Sequence, residues 1–568
     1  MRKTIVSSTY AHRPGAWRMA FYLCLGAVSA WMVMRNHGVY PAVFADEWYY
    51  SRMSRLAPLA EALVPSYLYL WIFSASNACG TGFLECVRLG NLAFYLAALP
   101  FFHGIARRYT SQGYAMLLTL LASAAPLNVY TMYFMPEATY WFAFCLLSWI
   151  MLTRDSWSTL GTALAGGLVL GLMSLIKVHA LFLVPALCLY LVYASWQAGG
   201  TWKRCLARGA AAALAAAALT VAVKFGLGWL LAGDAGLSLL GPFYQGNVSS
   251  GSTAMRMALL YPILVSALGH LMALAVLFGV PLAVLLHGMV TGVSRRDAAP
   301  AERLQVYTLL ILGAAAGMAV FYTATLADRG AAEAMRLHLR YYDFVFPLLW
   351  LVAAAAIGTT PAASGRGRRL RWAVAALLAL LVLVAFFRLP GYSFLVVDGP
   401  EIAAINMRST SGHVPVVLQL ALLAAWASGR ANAARLFVLV LLPILVLVGQ
   451  DRIASSASAH RNSQPGDRAG ALVLEAVPPS ERGTLVVAGA DPGVVLRVLF
   501  HIDRADTATL FLAPDQAVPR QDIAPGTRWL LVLGTHAAPF AQVVRRTDEF
   551  TLLRVPESGD STTRAELR

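Results

Sequence analysis

The sequence predicts an all-α polytopic membrane domain of about thirteen transmembrane helices, followed by a small α/β domain at the C-terminus. Three observations carry this. The 568 residues are 59% hydrophobic and only 13% charged, where a soluble domain is about a quarter charged. The apolar runs are continuous and helix-length, not the alternating segments of a membrane barrel. After Gln450 the composition turns polar, and short β-like runs replace long apolar ones.

In order, the predicted spans are 16–34, 87–106, 113–131, 138–153, 159–176, 180–196, 209–232, 257–290, 304–326, 341–358, 371–387, 413–429 and 434–450. The first also has signal-peptide features, basic residues before it and small residues near Ala27-Val28-Ser29-Ala30, and is read as a retained span. The run 257–290 is long enough for one tilted helix or two short ones, with Gly279 and Pro281 as kink points.

The net charge of +16 is not a nucleic-acid footprint, because it is split among short clusters between apolar runs. Arg2, Lys3 and Arg13 precede the first span. Arg107 and Arg108, then Lys203, Arg204 and Arg208, then Arg295 and Arg296, then Arg366, Arg368, Arg369 and Arg371, and finally Arg430 and Arg435 follow at later turns. Counting 257–290 as one span puts every cluster on one side, read as the cytoplasm. The N-terminus is then cytoplasmic and the C-terminal domain periplasmic, in a bacterial inner membrane.

Domain boundaries follow from composition. Residues 1–450 form the membrane domain, 451–468 a linker rich in Ser, Ala, Arg and Asn, 469–556 the α/β domain and 557–568 a polar, disordered tail. Strands are predicted at Thr484–Ala488, Thr507–Leu512, Trp529–Leu533 and Phe550–Val555, with a helix at Val494–Phe500. Gly489-Ala490-Asp491-Pro492-Gly493 lacks the spacing of a dinucleotide fingerprint and reads as a strand-to-helix turn.

The chemistry-bearing residues lie in the loops on the periplasmic side. The first loop, about 35–86, carries Asp46 and Glu47, the aromatics Trp48, Tyr49 and Tyr67, and a segment 51–63 patterned as an interfacial helix. Later loops carry Glu137, then Lys177 and His179, then Asp328, Arg329, Glu333, Arg336, His338, Arg340, Tyr341 and Tyr342, then Arg388, Asp398 and Glu401. Wet loops are charged as a matter of course, and interfacial aromatics form belts without any chemistry. Asp46, Glu137 and Lys177 stand apart because each adjoins a span among apolar or aromatic neighbours. A carboxylate there suits a general base, and a cation there suits a phosphate. Cys79 and Cys86 flank the start of the second span as either a disulfide or two free thiols. Lys224 and His270 fall inside apolar runs, the first placed to snorkel and the second to hydrogen-bond in a core.

Taken together, order, side and spacing give a resemblance. An Asp-Glu pair after the first span (Asp46-Glu47), a Pro/Tyr segment (Pro65-Ser66-Tyr67-Leu68-Tyr69) and an Arg-Leu pair opening the second span (Arg88-Leu89) come first. Then come an acidic residue in the next loop (Glu137), Gly171 through Lys177 with Pro185, and Arg340-Tyr341 with Pro347. The chain so resembles the GT-C superfamily of polyprenyl-phosphate-dependent membrane glycosyltransferases, in particular the aminoarabinose lipid A transferase and protein O-mannosyltransferase branch. It departs from the aminoarabinose transferases between Asp46 and Pro65 and lacks their Lys-Pro-Pro signature before the second span.

The resemblance implies a polyprenyl-phosphate-sugar donor and a periplasmic glycan, lipid or protein acceptor. It implies Asp46, supported by Glu47 and Glu137, as the catalytic carboxylates. It implies Lys177, Arg340, Arg88 and Arg329 as ligands of the donor phosphate, and Trp48, Tyr49, Tyr67 and Tyr341 as substrate contacts. A divalent metal ion stays open as a cofactor, since the sequence carries no dedicated ligand cluster. The rival class, a lipid transporter or flippase, calls for charges near the midplane, broken helices and internal repeats; few midplane charges and no evident repeat are found.

Overall fold

A computed structural model describes residues 14–243, 257–292, 300–327, 331–358, 365–403, 405–430 and 432–556. A helix underlies each of the thirteen predicted spans. They are α1 (Pro14–Asn36), α4 (Phe83–Tyr109), α5 (Gln112–Ser123), α6 (Glu137–Thr153), α7 (Thr159–Ile176), α8 (Val184–Gln197), α9 (Trp202–Ala232), α10 (Leu260–Gly292), α11 (Pro300–Thr325), α12 (Phe346–Ala355), α13 (Gly365–Arg388), α14 (Thr410–Ala427) and α15 (Leu442–Ala459). Two shorter helices, α2 (Phe44–Arg55) and α3 (Tyr67–Ser74), occupy the first loop. Among the described residues, nine helical segments are long and apolar enough to cross a membrane, and the apolar helices at α6, α12 and α14 are shorter. The chain is a multi-pass membrane protein.

Run 257–290 is a single helix, broken locally at Phe278 (φ −136°, ψ 32°) ahead of Pro281. Proline removes an intrahelical donor and crowds the preceding turn, so the distortion falls just before it. The helices pack through small residues. A Cβ on Gly167 of α7 would sit 2.5 Å from the carbonyl of Ala216 in α9, and one on Gly171 would sit 2.6 Å from Val223. Close backbone approach of this kind is how membrane helices gain packing without a hydrophobic drive between them.

At the site end of α1 a buried polar knot joins three distant segments. The Arg35 guanidinium donates to the Asn128 side chain and carbonyl, Asn36 donates to Thr131 Oγ1 at 2.8 Å, and Gln450 of α15 donates to Asn128 Oδ1 at 3.2 Å. Every member of the knot has a partner, which makes burying a guanidinium tolerable.

The C-terminal domain is a five-stranded sheet with order β2-β1-β3-β5-β4, made of β1 (Leu485–Gly489), β2 (Ala508–Phe511), β3 (Trp529–Leu533), β4 (Gln542–Arg546) and β5 (Phe550–Arg554). β1 pairs in parallel with β2 and β3, while β5 is antiparallel to β3 and β4. Helices α16 (Pro465–Ala476) and α17 (Pro492–Ile502) pack against each other and against the sheet. The sequence reading missed β4 because its residues are all exposed and two are arginines. It is an edge strand, where charge protects an open edge from pairing and erases the apolar signal.

Two local expectations differ from the structure. Within the expected linker 451–468, α15 continues to Ala459, with Ile453 and Ala457 buried one turn apart; α16 then starts at Pro465, capped by a reciprocal Gln464–Asp467 box. The segment expected to be an interfacial helix, 51–63, begins earlier as α2, which puts Asp46 and Glu47 in its first turn. Carboxylates are favoured at that end by the helix dipole. The tail 557–568 lies outside the described residues.

Candidate active site

Four chain segments that the sequence reading put on one side of the membrane converge on a cavity of about 860 Å³. Asp46 enters from α2, Glu137 from the start of α6, Lys177 from the residue after α7, and Arg340 and Tyr341 from the turn before α12. Lys177 caps α7 in an extended conformation (φ −148°, ψ 119°), which turns its side chain off the helix axis.

Two ion pairs face each other across one ring. Arg340 Nη1 donates to Asp46 Oδ2 at 2.7 Å. Lys177 Nζ donates to Glu137 Oε1 at 2.8 Å. Tyr341 lies between the two cations, its ring centroid 4.6 Å from Lys177 Nζ and 5.3 Å from the Arg340 guanidinium carbon. The aromatic face holds the two positive groups close without a carboxylate between them. Glu137 Oε2 is buried and has no hydrogen-bond partner, so it is an acceptor waiting for a donor.

Behind this front, Asp398 organises the arginines. It is fully buried, accepts from Arg336 Nε at 2.7 Å, and lies 3.4 Å from Arg340 Nε. Its backbone carbonyl accepts from the Arg340 amide at 2.8 Å. Burial pushes the Asp398 carboxyl above the usual range, while the charges of Arg340 and Arg336 pull it back. His338, also on the lining, is held well below its ordinary value by burial and then by the same two arginines, so it is a neutral group here.

The remaining expected residues separate clearly. Tyr49 lines the cavity with its hydroxyl unpartnered. Glu47 does not line it: its carboxylate is fully buried and accepts from the amides of Ala42, Val43 and Phe134 at 2.8, 2.8 and 2.9 Å. With its oxygens committed to backbone donors, Glu47 positions the start of α2, and this corrects its expected catalytic role. Arg88 is corrected likewise. It donates to the Met132 carbonyl at 3.0 Å, to Glu85 at 2.8 Å and to the Val39 carbonyl, so all three of its nitrogens are engaged by the chain itself, and it does not line the cavity.

Trp48 points away from the cavity and stacks edge-on against Phe500 of α17. Tyr67 is buried and donates to the Ala235 carbonyl at 2.8 Å. Neither contacts the site, which corrects both as substrate contacts. Arg329 lies outside the described residues. Lys224 does not snorkel but is fully buried, 5.6 Å from the Tyr67 ring centroid. His270 is a core residue bonded to the Tyr342 hydroxyl at 2.7 Å.

The sequence reading missed Arg452, Ser456 and His460, which line the cavity from the last turns of α15. Their spacing of four residues, which puts them on one helical face beside the buried Ile453 and Ala457, was the available signal. Among the described residues no three His, Cys, Asp or Glu side chains cluster as metal ligands. Asp46 and Glu137 are each already neutralised by a cation, so the residues present do not fit a resident divalent ion.

Comparison with known proteins starts from a blank, since no protein-family model and no curated sequence matches the chain. Solved structures do match it. ArnT from Cupriavidus metallidurans in the apo state superposes with a TM-score of 0.51 and 15% identity, over 96% of this chain and 98% of that one. The chain shares the GT-C fold. ArnT of the same organism bound to undecaprenyl phosphate gives the same TM-score at 14% identity, over 96% and 99% of the two chains. An oligosaccharyltransferase of Archaeoglobus fulgidus matches at a TM-score of 0.48 and 11% identity, over 92% of this chain and 69% of that one. At 14–15% identity the GT-C fold is what this chain and ArnT have in common.

Proposed function

We propose that this chain is a glycosyltransferase that moves a sugar from a polyprenyl-phosphate donor to a periplasmic glycan, lipid or protein acceptor. One observation carries the reading: a carboxylate, Asp46, and two cations, Lys177 and Arg340, meet within one cavity at the end of a membrane helix bundle. The fold shared with ArnT, which has been captured with undecaprenyl phosphate, supports a lipid phosphate as the leaving group.

In the proposed reaction the acceptor's nucleophilic oxygen or nitrogen attacks the anomeric carbon from the face opposite the phosphate. The bond between that carbon and the phosphate oxygen breaks, and its electron pair leaves with the lipid phosphate. Lys177 and Arg340 take up the charge that develops there, where a preorganised cation counts for more than water. Asp46 accepts the acceptor's proton as general base. Glu137 Oε2, the unsatisfied acceptor, orients the incoming donor group. Tyr49 and Tyr341 offer flat faces to a sugar. No metal ion is required by this scheme.

The periplasmic orientation rests on the one-sided distribution of basic clusters. It is supported by the Cys79–Cys86 disulfide on the site side, since disulfides persist in oxidising compartments. The C-terminal domain, in this reading, braces the helix that carries Asp46.

The test is transfer of label from a panel of polyprenyl-phosphate sugars to extracted envelope acceptors, in membranes holding wild type or Asp46→Asn. Transfer by the wild type alone supports the proposal. Equal transfer by both removes Asp46 from the mechanism, and no transfer with any donor by folded protein removes the activity.

A further inference from the structure

A second cavity, of about 550 Å³, opens between α1, α4 and α5. It lies far from the candidate active site. Arg18 on its lining is seventeen residues from Arg35 along α1, and Arg107 is nineteen from Arg88 along α4. At the helical rise these are about 26 and 28 Å, close to the ~30 Å of a hydrocarbon core. Arg35 and Arg88 both contact the loops that build the active site. The second cavity is therefore at the opposite membrane face.

Its chemistry is distinct. Among the described residues, the charged side chains on the lining are Arg18 and Arg107, joined by His103, and no carboxylate lines it. Both arginines are exposed, and among the described residues neither has an acidic partner within salt-bridge distance. The neighbouring Arg108 does have one, in Asp155. The rest of the lining is apolar or aromatic, including Leu25, Leu96 and Leu99. A Cβ on Gly26 would meet nothing within 4 Å, so the groove is open along α1. That helix is the least covered of the long apolar helices among the described residues, and Tyr22 and Leu23 are about two-thirds exposed. Lipid therefore reaches the groove sideways.

We propose that this groove binds one anionic phospholipid from the leaflet opposite the active site, its phosphate between Arg18 and Arg107 and a chain along Gly26 and Leu96. Volume and lining suit a ligand site of about 300–1,000 Å³ with an apolar wall and few charges. Basic pockets between membrane helices favour anionic head groups for the same electrostatic reason.

The experiment is native mass spectrometry of the full chain released from nanodiscs of equal phosphatidylglycerol and phosphatidylcholine. The wild type is expected to retain one phosphatidylglycerol at least tenfold over phosphatidylcholine. The Arg18→Gln/Arg107→Gln variant is expected to lose that preference, and Gly26→Phe to lose the bound lipid while keeping every charge. Lys177→Gln, altered only in the active site, is expected to retain it. Equal retention of both lipids by the wild type overturns the proposal. So does unchanged preference in the double variant, loss of the lipid in Lys177→Gln alone, or displacement of the lipid by millimolar inorganic phosphate.

Discussion

Arg55, the last residue of the helix that carries Asp46 in its first turn, is ion-paired with Asp503, just past the end of α17 in the C-terminal domain. The Arg55 side chain is almost wholly buried, against the Phe83 ring, and Asp503 is partly exposed. Trp48 against Phe500 adds an apolar contact along the same helix pair. The C-terminal domain thus grips the helix bearing the candidate base. Asp503→Ala is expected to cost about 2 kcal/mol of stability, discounted for solvent access at Asp503, and to lower transfer several-fold. Thermal unfolding in detergent alongside the transfer assay measures both.

Asp46 and Glu47 are adjacent in sequence and opposite in consequence. Asp46→Asn is expected to lower transfer by about 100- to 10,000-fold, the usual contribution of a general base, with little change in unfolding temperature. Glu47→Gln leaves one backbone donor facing an amide NH₂ and is expected to cost about 1–3 kcal/mol of stability. A thermal shift for Glu47→Gln and none for Asp46→Asn is the pattern to look for.

Removing one cation tests the leaving-group site. Lys177→Gln is expected to reduce the rate about 100- to 1,000-fold, as loss of one preorganised charge-stabilising donor does elsewhere. It also frees Glu137 from its partner. Measuring kcat and KM separately with a lipid-linked sugar tests this, because loss confined to KM would put Lys177 in ground-state binding alone.

Asp398 gives stability and activity opposite responses to pH. Its carboxyl is raised on folding by burial, so the folded chain holds the proton more tightly than the unfolded one. Its contribution to stability is full below the ordinary aspartate pKa and is lost as pH rises through the raised value. Activity runs the other way: protonation below the raised value removes the charge that holds Arg336 and Arg340. The acid limb of the rate profile is expected above the ordinary carboxylate range, and Asp398→Asn is expected to flatten it. A limb unmoved in that variant would assign it to another group.

Chelation is expected to leave transfer unchanged, because the carboxylates of the cavity are already paired with Lys177 and Arg340. A rate abolished by EDTA and restored by a divalent ion would overturn that arrangement.

Much of this was legible in the sequence. Helix-length apolar runs located a helix under every predicted span, and the one-sided inventory of Asp46, Glu137, Lys177, Arg340 and Tyr341 matches residues brought together in one cavity. What was not legible is direction. Glu47, Arg88, Trp48 and Tyr67 have the residue types of a substrate site, yet each spends its polar atoms or ring on the chain itself. Sequence reports which residues lie near an interface, but the rotation of a helix by one residue, about 100°, decides whether they face the cavity or the core. The α15 residues Arg452 and His460 were hidden for another reason: polar residues on an exposed helical face have the composition of a linker.

The grip of Asp503 on Arg55 also has a temporal side. The chain is made from its N-terminus, and Asp503 emerges more than four hundred residues after Asp46. At about 5–20 residues per second, roughly half a minute to a minute and a half of synthesis separates the helix from its brace. A nascent chain that has not yet reached Asp503 holds Asp46 on an unsupported helix, so competence at the cavity waits for the C-terminal domain to be made. The α/β domain thus acts as a receipt that the stretch of chain from Asp46 to Asp503 has been delivered.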